Sequence, residues 1–593
     1  MSRPVTATDE VANEYVRKLA RLCPSLAQIT SDPLPENTWE DFSPAGVAAE
    51  IDLARDTLKA LDQTAAVDAI DEVTQAAMRH DLGTQIETYE AGLTVGQMGN
   101  IASPMQAIRD GFNLLPHSTL PQWEDLVRRL EQVPAAMETY REGVRTALAN
   151  DHAPTRVAAD AVLKDLRQQL TQTNPYERLV KQLEEASDAD TDLAKQLRAS
   201  DLLARARAGA TQASSASADF ASFLETEVLP HANNQDAVGA QALALYHQGF
   251  LGAQVPAEET YEWALQRLRD IHRQQSAIAR DIYGDVTVAE ALRRLDAEPA
   301  YTLHGTDALI KWMQATADEA VDNLAGTHFT VPEQIRTIEC CISPAGDGGI
   351  FYTAPADDFS RPGRMWWAVP PGQEEFHTWQ EKTTVYHEGM PGHHMQLGVA
   401  VARKADMNTW RRLLCWYSGH GEGWALYAEA LMDELGYLSD PADRMGMLDA
   451  QRLRAARVVV DLGLHTGRAL PSAAYLAEIG IDEDAWAAAL ASSPYQHLGG
   501  RTAADGVWDR HAVWAFMSNN VAMDPSFLAF ETTRYLTWPG QASSYAVGQR
   551  HWEATRAKYL QQNPQASLKQ FHDEALALGG LPLSVLDSAL GVK

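Results

Sequence analysis

The chain has 593 residues, 45% of them apolar, with 80 acidic and 49 basic side chains and a formal net charge of −31. It is long enough for a large core or for several domains. So acidic a surface repels nucleic acid and anionic membrane, which removes both from the expected partners.

The first residues, MSRPVTATDEVANEY, carry no apolar run behind their arginine, so no secretory signal is read, and no stretch further on has the length of a membrane span. Helical signals then dominate roughly the first three hundred residues. Thr8-Asp9-Glu10 opens an amphipathic run over 11–22 that Pro24 stops. Apolar residues three and four apart recur over 45–61, 122–130, 158–170, 179–206, 258–282 and 307–324. The Ala/Ser-rich stretch 209–218 reads either as a linker or as continued helix. No fixed period repeats, which excludes a solenoid. Near Thr327 the texture changes. Strands are expected over 335–342, 350–353 and 364–369, with a turn at Gly348-Gly349 and a loop over 357–363. The remainder is helical. The expectation is a mainly α, bilobal protein with a small sheet beside a metal-binding helix in a deep cleft. It divides into a helical region 1–326 and a catalytic region 327–593, joined as one continuous unit. The four cysteines, Cys23, Cys340, Cys341 and Cys415, are few, and the adjacent pair is ill placed to bridge itself. Their spacing fits no zinc ribbon or finger, so a reduced, cytoplasmic protein is expected.

The richest chemistry lies in Tyr386-His387-Glu388-Gly389-Met390-Pro391-Gly392-His393-His394, followed by Glu422-Gly423-Trp424-Ala425-Leu426-Tyr427-Ala428-Glu429. Imidazoles and a carboxylate can fill three positions on a catalytic zinc, and the carboxylate beside the first His can act as general base. The usual His-Glu-x-x-His signature is absent, because Pro391 stands four residues after His387. His393 is about 240° round a regular helix from His387, and His394 about 10 Å along its axis. Neither can share a metal with His387 on a straight helix. The helix must therefore bulge or break between Gly389 and Gly392. A solvated histidine turn and an ordinary helix acid are the plainer alternative. His420 rivals Glu422 as third ligand.

In order and spacing these motifs resemble the bacterial family known as domain of unknown function 885. Its pattern is His-Glu-x-x-Pro-Gly-His followed by Glu-Gly-Trp-Ala-x-Tyr-x-Glu. Matching segments continue at Arg457–Asp461–Gly463–His465, Glu531–Arg534–Tyr535, Pro539-Gly540-Gln541 with Tyr545 and Gly548, Phe571-His572-Asp573, and Gly579 to Pro582. The resemblance spans most of the chain and is sharpest over 340–590. It implies a zinc metallopeptidase, with His387, His393 and Glu422 holding Zn2+ and Glu388 as base and then acid. The family pattern keeps the histidine at His393 and lets the next position vary, which implies His393 rather than His394 as ligand.

Further residues follow from spacing and chemistry. Arg457, Asp461 and His465 form one helical stripe. Asp461 and His465 are expected near the site, His465 as a transition-state donor, with Arg457 salt-bridged to Asp461 as the plainer reading. Glu429 is placed behind the ligands. Tyr545 is the candidate oxyanion donor, and Gln541, one turn before it, is read as a substrate contact. Arg534 is read as a carboxylate anchor or a partner of Glu531. Tyr352 and Arg361 flank the sheet as substrate contacts, and His394 joins them. The expected activity is hydrolysis of peptide bonds in short or unfolded peptides. The alternatives are a zinc hydrolase or lyase acting on a metabolite, and a non-catalytic binding protein on a peptidase scaffold.

Overall fold

The first helix, Ala7–Leu22, starts one residue earlier than its sequence signal. Thr6 accepts from the Asp9 N–H, and the Asp9 side chain returns the bond. In this computed structural model, residues 3–26, 35–36, 38–112, 115–172, 174–343, 349–370, 372–499 and 506–592 are described. The expected runs appear as Pro44–Asp62, Leu120–Glu131, Arg156–Thr171, Ala257–Tyr283 and Thr306–Leu324. The run expected over 179–206 is three helices, Pro175–Asp188, Asp192–Ala199 and Leu202–Phe223; Thr191 caps the second at Asp192, its hydroxyl accepting from the Ala194 N–H. The last of them runs straight through 209–218, so that stretch is helix and not linker. Ala69–Glu90 and Ala240–Leu251 escape the periodicity reading because their apolar residues form no clean stripe.

Five strands are present among the described residues: β1 (Thr302–His304), β2 (Ile338–Ile342), β3 (Phe351–Thr353), β4 (Gly363–Trp367) and β5 (Glu375–His377). β4 lies between β2, which it meets in parallel from Ile338↔Gly363, and β3, which it meets antiparallel from Phe351↔Trp366. β1 and β5 form a separate antiparallel pair. Each has three residues, too few for alternation to register in the sequence. Ile335 belongs to a 3-10 turn, and Gly348 of the expected turn lies outside the described residues.

Six helices build the site: α1 (Thr378–Glu388), α2 (His393–Ala402), α3 (Ser418–Glu434), α4 (Pro441–His465), α5 (Pro525–Thr537) and α6 (Ser544–Gln562). Glycines let them approach closely. A Cβ on Gly423 of α3 would lie 2.5 Å from the backbone of Gly548 on α6, and one on Gly548 would lie 2.2 Å from the Gly419 carbonyl oxygen. Gly446 on α4 meets the Trp379 carbonyl of α1 in the same way, at 2.0 Å. Four of the six, α1 with α4 and α3 with α6, are thus locked in pairs at points where no side chain fits.

The apolar cores do not follow the division expected at 326/327. One core gathers Trp39, Trp123, Tyr140 and Phe220 with their neighbours, all before residue 230. The largest core joins Tyr15, Leu82 and Leu268 to Tyr386, Trp424, Trp552 and Val592. The N-terminal helices therefore share a core with the site helices. No described helix is long and apolar enough to cross a membrane.

The α3–α6 contact supplies a stability test. Gly548→Val should destabilise the protein by about 1–3 kcal/mol through overpacking, read by urea unfolding. Gly249→Ala, where the added Cβ meets nothing within 4 Å, should be neutral or slightly stabilising.

Candidate metal centre

α1 ends at Glu388, and the Gly389 N–H closes its last turn on the Val385 carbonyl at 2.8 Å. The chain then passes through Met390 and Pro391, and α2 begins at His393. The Gly392 N–H bonds back to Tyr386 O at 3.1 Å, and a Cβ on Gly392 would sit 1.9 Å from the His387 carbonyl oxygen. Only glycine allows that fold-back. The indole N–H of Trp424, on α3, holds the loop by donating to Pro391 O at 2.9 Å. The break therefore falls between Gly389 and Gly392, where geometry requires it if the histidines are to meet.

They do meet. The rings of His387 and His393 stand 4.9 Å apart and perpendicular. Both Nε2 atoms face one oxygen: Glu422 Oε2 is 3.3 Å from His387 and 3.4 Å from His393. One ligand atom each from His387, Glu388 and His393 also lie within 4.8 Å of one another. The two groupings share both histidines and differ in the carboxylate. Glu422 is the stronger ligand candidate because it sits where the imidazoles converge. Glu388 remains beside them with a buried Oε2 that has no hydrogen-bond partner, and His393 Nδ1 is likewise buried and unpartnered. Buried orphan atoms of this kind call for an ion or water. Two imidazoles and a carboxylate suit zinc.

Behind the cluster, His387 Nδ1 meets Glu429 Oε1 at 2.7 Å, and the Thr383 hydroxyl donates to the other Glu429 oxygen at 2.5 Å. This fixes the tautomer that presents Nε2 forward. Burial alone would lower the His387 pKa, but the carboxylates of Glu422 and Glu429 carry it up to about 10. Burial also works to raise Glu422, yet His387 and His393 hold it well below the ordinary carboxylate range. Glu388 goes the other way: burial raises it, and the histidines only partly offset that. Two neighbouring carboxylates are thereby driven apart, one toward permanent charge and one toward proton exchange.

His394 is turned away. Its Nε2 meets Ile335 O at 2.7 Å and its Nδ1 meets the Tyr352 hydroxyl at 2.9 Å. Both side chains are used in bracing the sheet against α2, so neither is the substrate contact expected of it. Arg361 is also engaged elsewhere, donating to the Pro362 and Ala354 carbonyls. His420 bonds Gln396 through Nδ1 and packs on Trp552, apart from the cluster.

The stripe on α4 needs correction too. His465 accepts from the Val238 N–H and meets Tyr535 O, so both ring nitrogens serve backbone and it cannot act as a transition-state donor. Asp461 accepts from the Gly540 N–H at 3.0 Å and holds the turn before α6. Arg457 does not pair with Asp461. It donates to Glu531 at 2.6 Å and to the Tyr535 hydroxyl at 2.8 Å. Arg534 also pairs with Glu531, and its Nε donates to Gln541, which is thereby committed to the protein. The Tyr545 ring lies 5.2 Å from the Arg457 guanidinium and 6.0 Å from that of Arg534. Burial raises its phenol, and Glu422 raises it further.

The family model described as "Bacterial protein of unknown function (DUF885)" matches residues 24–590. The chain belongs to this family. No match is found among curated proteins. Among solved structures, the fold is similar to "the putative lipoprotein from Colwellia psychrerythraea", with a TM-score of 0.79 and 22% identity over 99% of each chain. A second similar structure is "a putative lipoprotein of unknown function from Shewanella oneidensis", with a TM-score of 0.71 and 15% identity over 98% of this chain and 99% of that one. At these identities the likeness concerns fold.

Two residues of this DUF885 member were not singled out by sequence. Trp416 is 45% exposed, with its ring 6.3 Å from that of His393. Arg454, partly exposed on α4, offsets a small part of the rise that burial gives the Glu388 pKa. Arg454 stands three residues before Arg457, so the α4 stripe carried a signal for it; Trp416 had none.

The Glu531 pairing predicts a pH dependence. Burial opposes ionisation, but Arg457 and Arg534 bring the Glu531 pKa down to about 2. A depressed carboxylate stabilises above its unfolded value, about 4.3, and that contribution is lost as pH falls toward the folded value. Glu531→Gln should therefore cost about 3 kcal/mol at pH 7 in urea unfolding. The difference from the unsubstituted protein should shrink steadily below pH of about 4.

Proposed function

We propose that this protein is a zinc-dependent hydrolase of peptide bonds, with His387, His393 and Glu422 as ligands and Glu388 as general base. The observation that carries the reading is the convergence of both imidazole Nε2 atoms on one Glu422 oxygen, with the orphan oxygen of Glu388 beside them. Zinc, when bound, supplies Lewis acidity toward water and a substrate carbonyl. Glu388, raised in pKa by burial, takes a proton and returns it to the leaving amine. Glu429 keeps the His387 ring in its presenting tautomer, and the Tyr545 hydroxyl, whose phenol Glu422 influences, would donate to a developing oxyanion. His387, Glu388 and His393 are only 5–7% exposed, which favours short or unfolded peptides over folded proteins. The low cysteine count suits a reduced compartment, and the cytoplasm is the proposed location.

Zinc content tests the ligand set. The purified protein should bind about one zinc per chain, and His387→Ala, His393→Ala or Glu422→Ala should each lower that sharply by elemental analysis. His394→Ala should keep its zinc while losing stability, since its hydrogen bonds go to Ile335 and Tyr352. Full occupancy in Glu422→Ala would move the third ligand to Glu388.

Turnover tests the chemistry. Zinc-loaded protein should cleave members of a mixed short-peptide library read by mass spectrometry. Glu388→Gln should retain zinc and fold but lose activity by about a hundredfold or more. Intact peptides throughout would transfer the reading to a metabolite hydrolase.

A further inference from the structure

Helix α3 opens Ser418-Gly419-His420-Gly421-Glu422-Gly423, with a glycine at every second position. Two of these glycines admit neighbouring elements. A Cβ on Gly419 would lie 2.4 Å from Leu251, and one on Gly423 would lie 2.5 Å from Gly548. Gly421, next to the candidate ligand Glu422, admits an indole. A Cβ there would lie 2.2 Å from Cη2 of Trp416, and the next nearest atoms, Cζ2 and Cζ3, belong to the same ring. The helix gives up a side chain, at a cost to its own stability, to seat Trp416.

The seat is anchored on both sides. Cys415 and Tyr417 are buried, the Cys415 thiol donating to Gly580 O at 3.1 Å and the Tyr417 hydroxyl to Asp81 at 3.3 Å. Trp416 between them is 45% exposed. A single exposed apolar residue is ordinary on an open surface. Here the exposed rings of Phe351, Phe527 and Phe530 each stack on another aromatic side chain. Among the described residues the one ring that Trp416 meets is that of His393, 6.3 Å away and tilted by 51°. The indole thus rests on the backbone beside one candidate ligand, faces the ring of another, and leaves the remainder of its surface open.

That open surface is flat, apolar and fixed in orientation. Its best complement is another ring, because aromatic pairs in offset or edge-to-face geometry contribute beyond the area they bury. An extended peptide advances about 3.3 Å per residue. A side chain lying over an indole 6.3 Å from a ligand ring therefore belongs to a residue at the cleaved bond or to the next one. We propose that Trp416 receives an aromatic side chain of the substrate beside the bond being cleaved. This rests on the peptide-hydrolysis reading and names its substrate class, peptides with Phe, Tyr or Trp at that position.

Binding separates this proposal from the hydrolysis it refines. Glu388→Gln protein, full length and in buffer containing zinc, is titrated calorimetrically with acetylated, amidated pentapeptides of alanine. The central residue is Ala, Leu, Phe or Lys. The Phe peptide should bind about tenfold or more tighter than the Ala peptide, with Leu between them. Adding Trp416→Ala should remove the difference, and Trp416→Phe should restore part of it. Urea midpoints and elemental analysis confirm that each variant keeps its fold and metal content. A ring that only shielded His393 would leave the ratio between peptides unchanged. Equal binding of the Phe and Ala peptides, no binding of any peptide, or a Phe preference that survives Trp416→Ala overturns the proposal. Tightest binding of the Lys peptide overturns it too, in favour of a cation over the indole. A Trp416-dependent preference for Phe in a wild-type protein that cleaves none of the peptides keeps the aromatic subsite and overturns the hydrolase reading instead.

Discussion

Everything at the centre depends on one backbone contact, the approach of Gly392 to the carbonyl oxygen of His387. A regular helix would carry His393 round to a different face from His387. Folding the chain back at Pro391-Gly392 brings the rings to 4.9 Å and leaves His394 facing the sheet. The contact tolerates no Cβ, and it is secured from outside by the Trp424 indole. Trp424 is two residues from Glu422 on the same helix. The helix that supplies the third candidate ligand therefore also holds the loop that aligns the first two.

The second organising feature is electrostatic partition. Glu388, Glu422 and Glu429 surround the histidines, while Arg457 and Arg534 gather against Tyr545. Residues of one chemical type are pushed in opposite directions by their neighbours. Arginines hold Glu531 down to about 2, histidines hold Glu422 low, and burial lifts Glu388. The close glycine seam between α3 and α6 sets Tyr545 between the two regions. Packing and electrostatics are coupled here, since any widening of that seam moves the phenol relative to both.

Much of this could be read from the chain before folding. Amphipathic periodicity located most long helices, and the texture change near Thr327 located the three-stranded sheet. The clash of Pro391 with helical geometry required the break itself. What escaped was information carried by tertiary partners. The α4 stripe of Arg457, Asp461 and His465 has helical spacing that suggests mutual pairing, yet each finds its main partner elsewhere: Glu531, the Gly540 N–H and backbone at Val238 and Tyr535. Spacing shows which residues share a face; it does not show what that face meets. Tyr352 and Arg361 show the same thing, bonding His394 and the Pro362 and Ala354 carbonyls. A polar side chain near a site resembles a substrate contact until its own hydrogen bonds are counted.

The largest core joins the first helix to the last third of the chain, and the polar contacts across that joint are specific. Asn408 donates to Asp9 at 3.0 Å across 399 residues, and the Thr409 N–H donates to Asn13. During synthesis the apolar face of Ala7–Leu22 leaves the ribosome long before these partners exist. At about 5–20 residues per second, the wait is roughly 20 to 80 s. Through that interval the nascent chain displays a greasy, half-finished surface, and the high contact order of the native joint slows its eventual closure. The early helices are thus natural clients for chaperones, and the centre forms only when the two ends of the polypeptide have found each other.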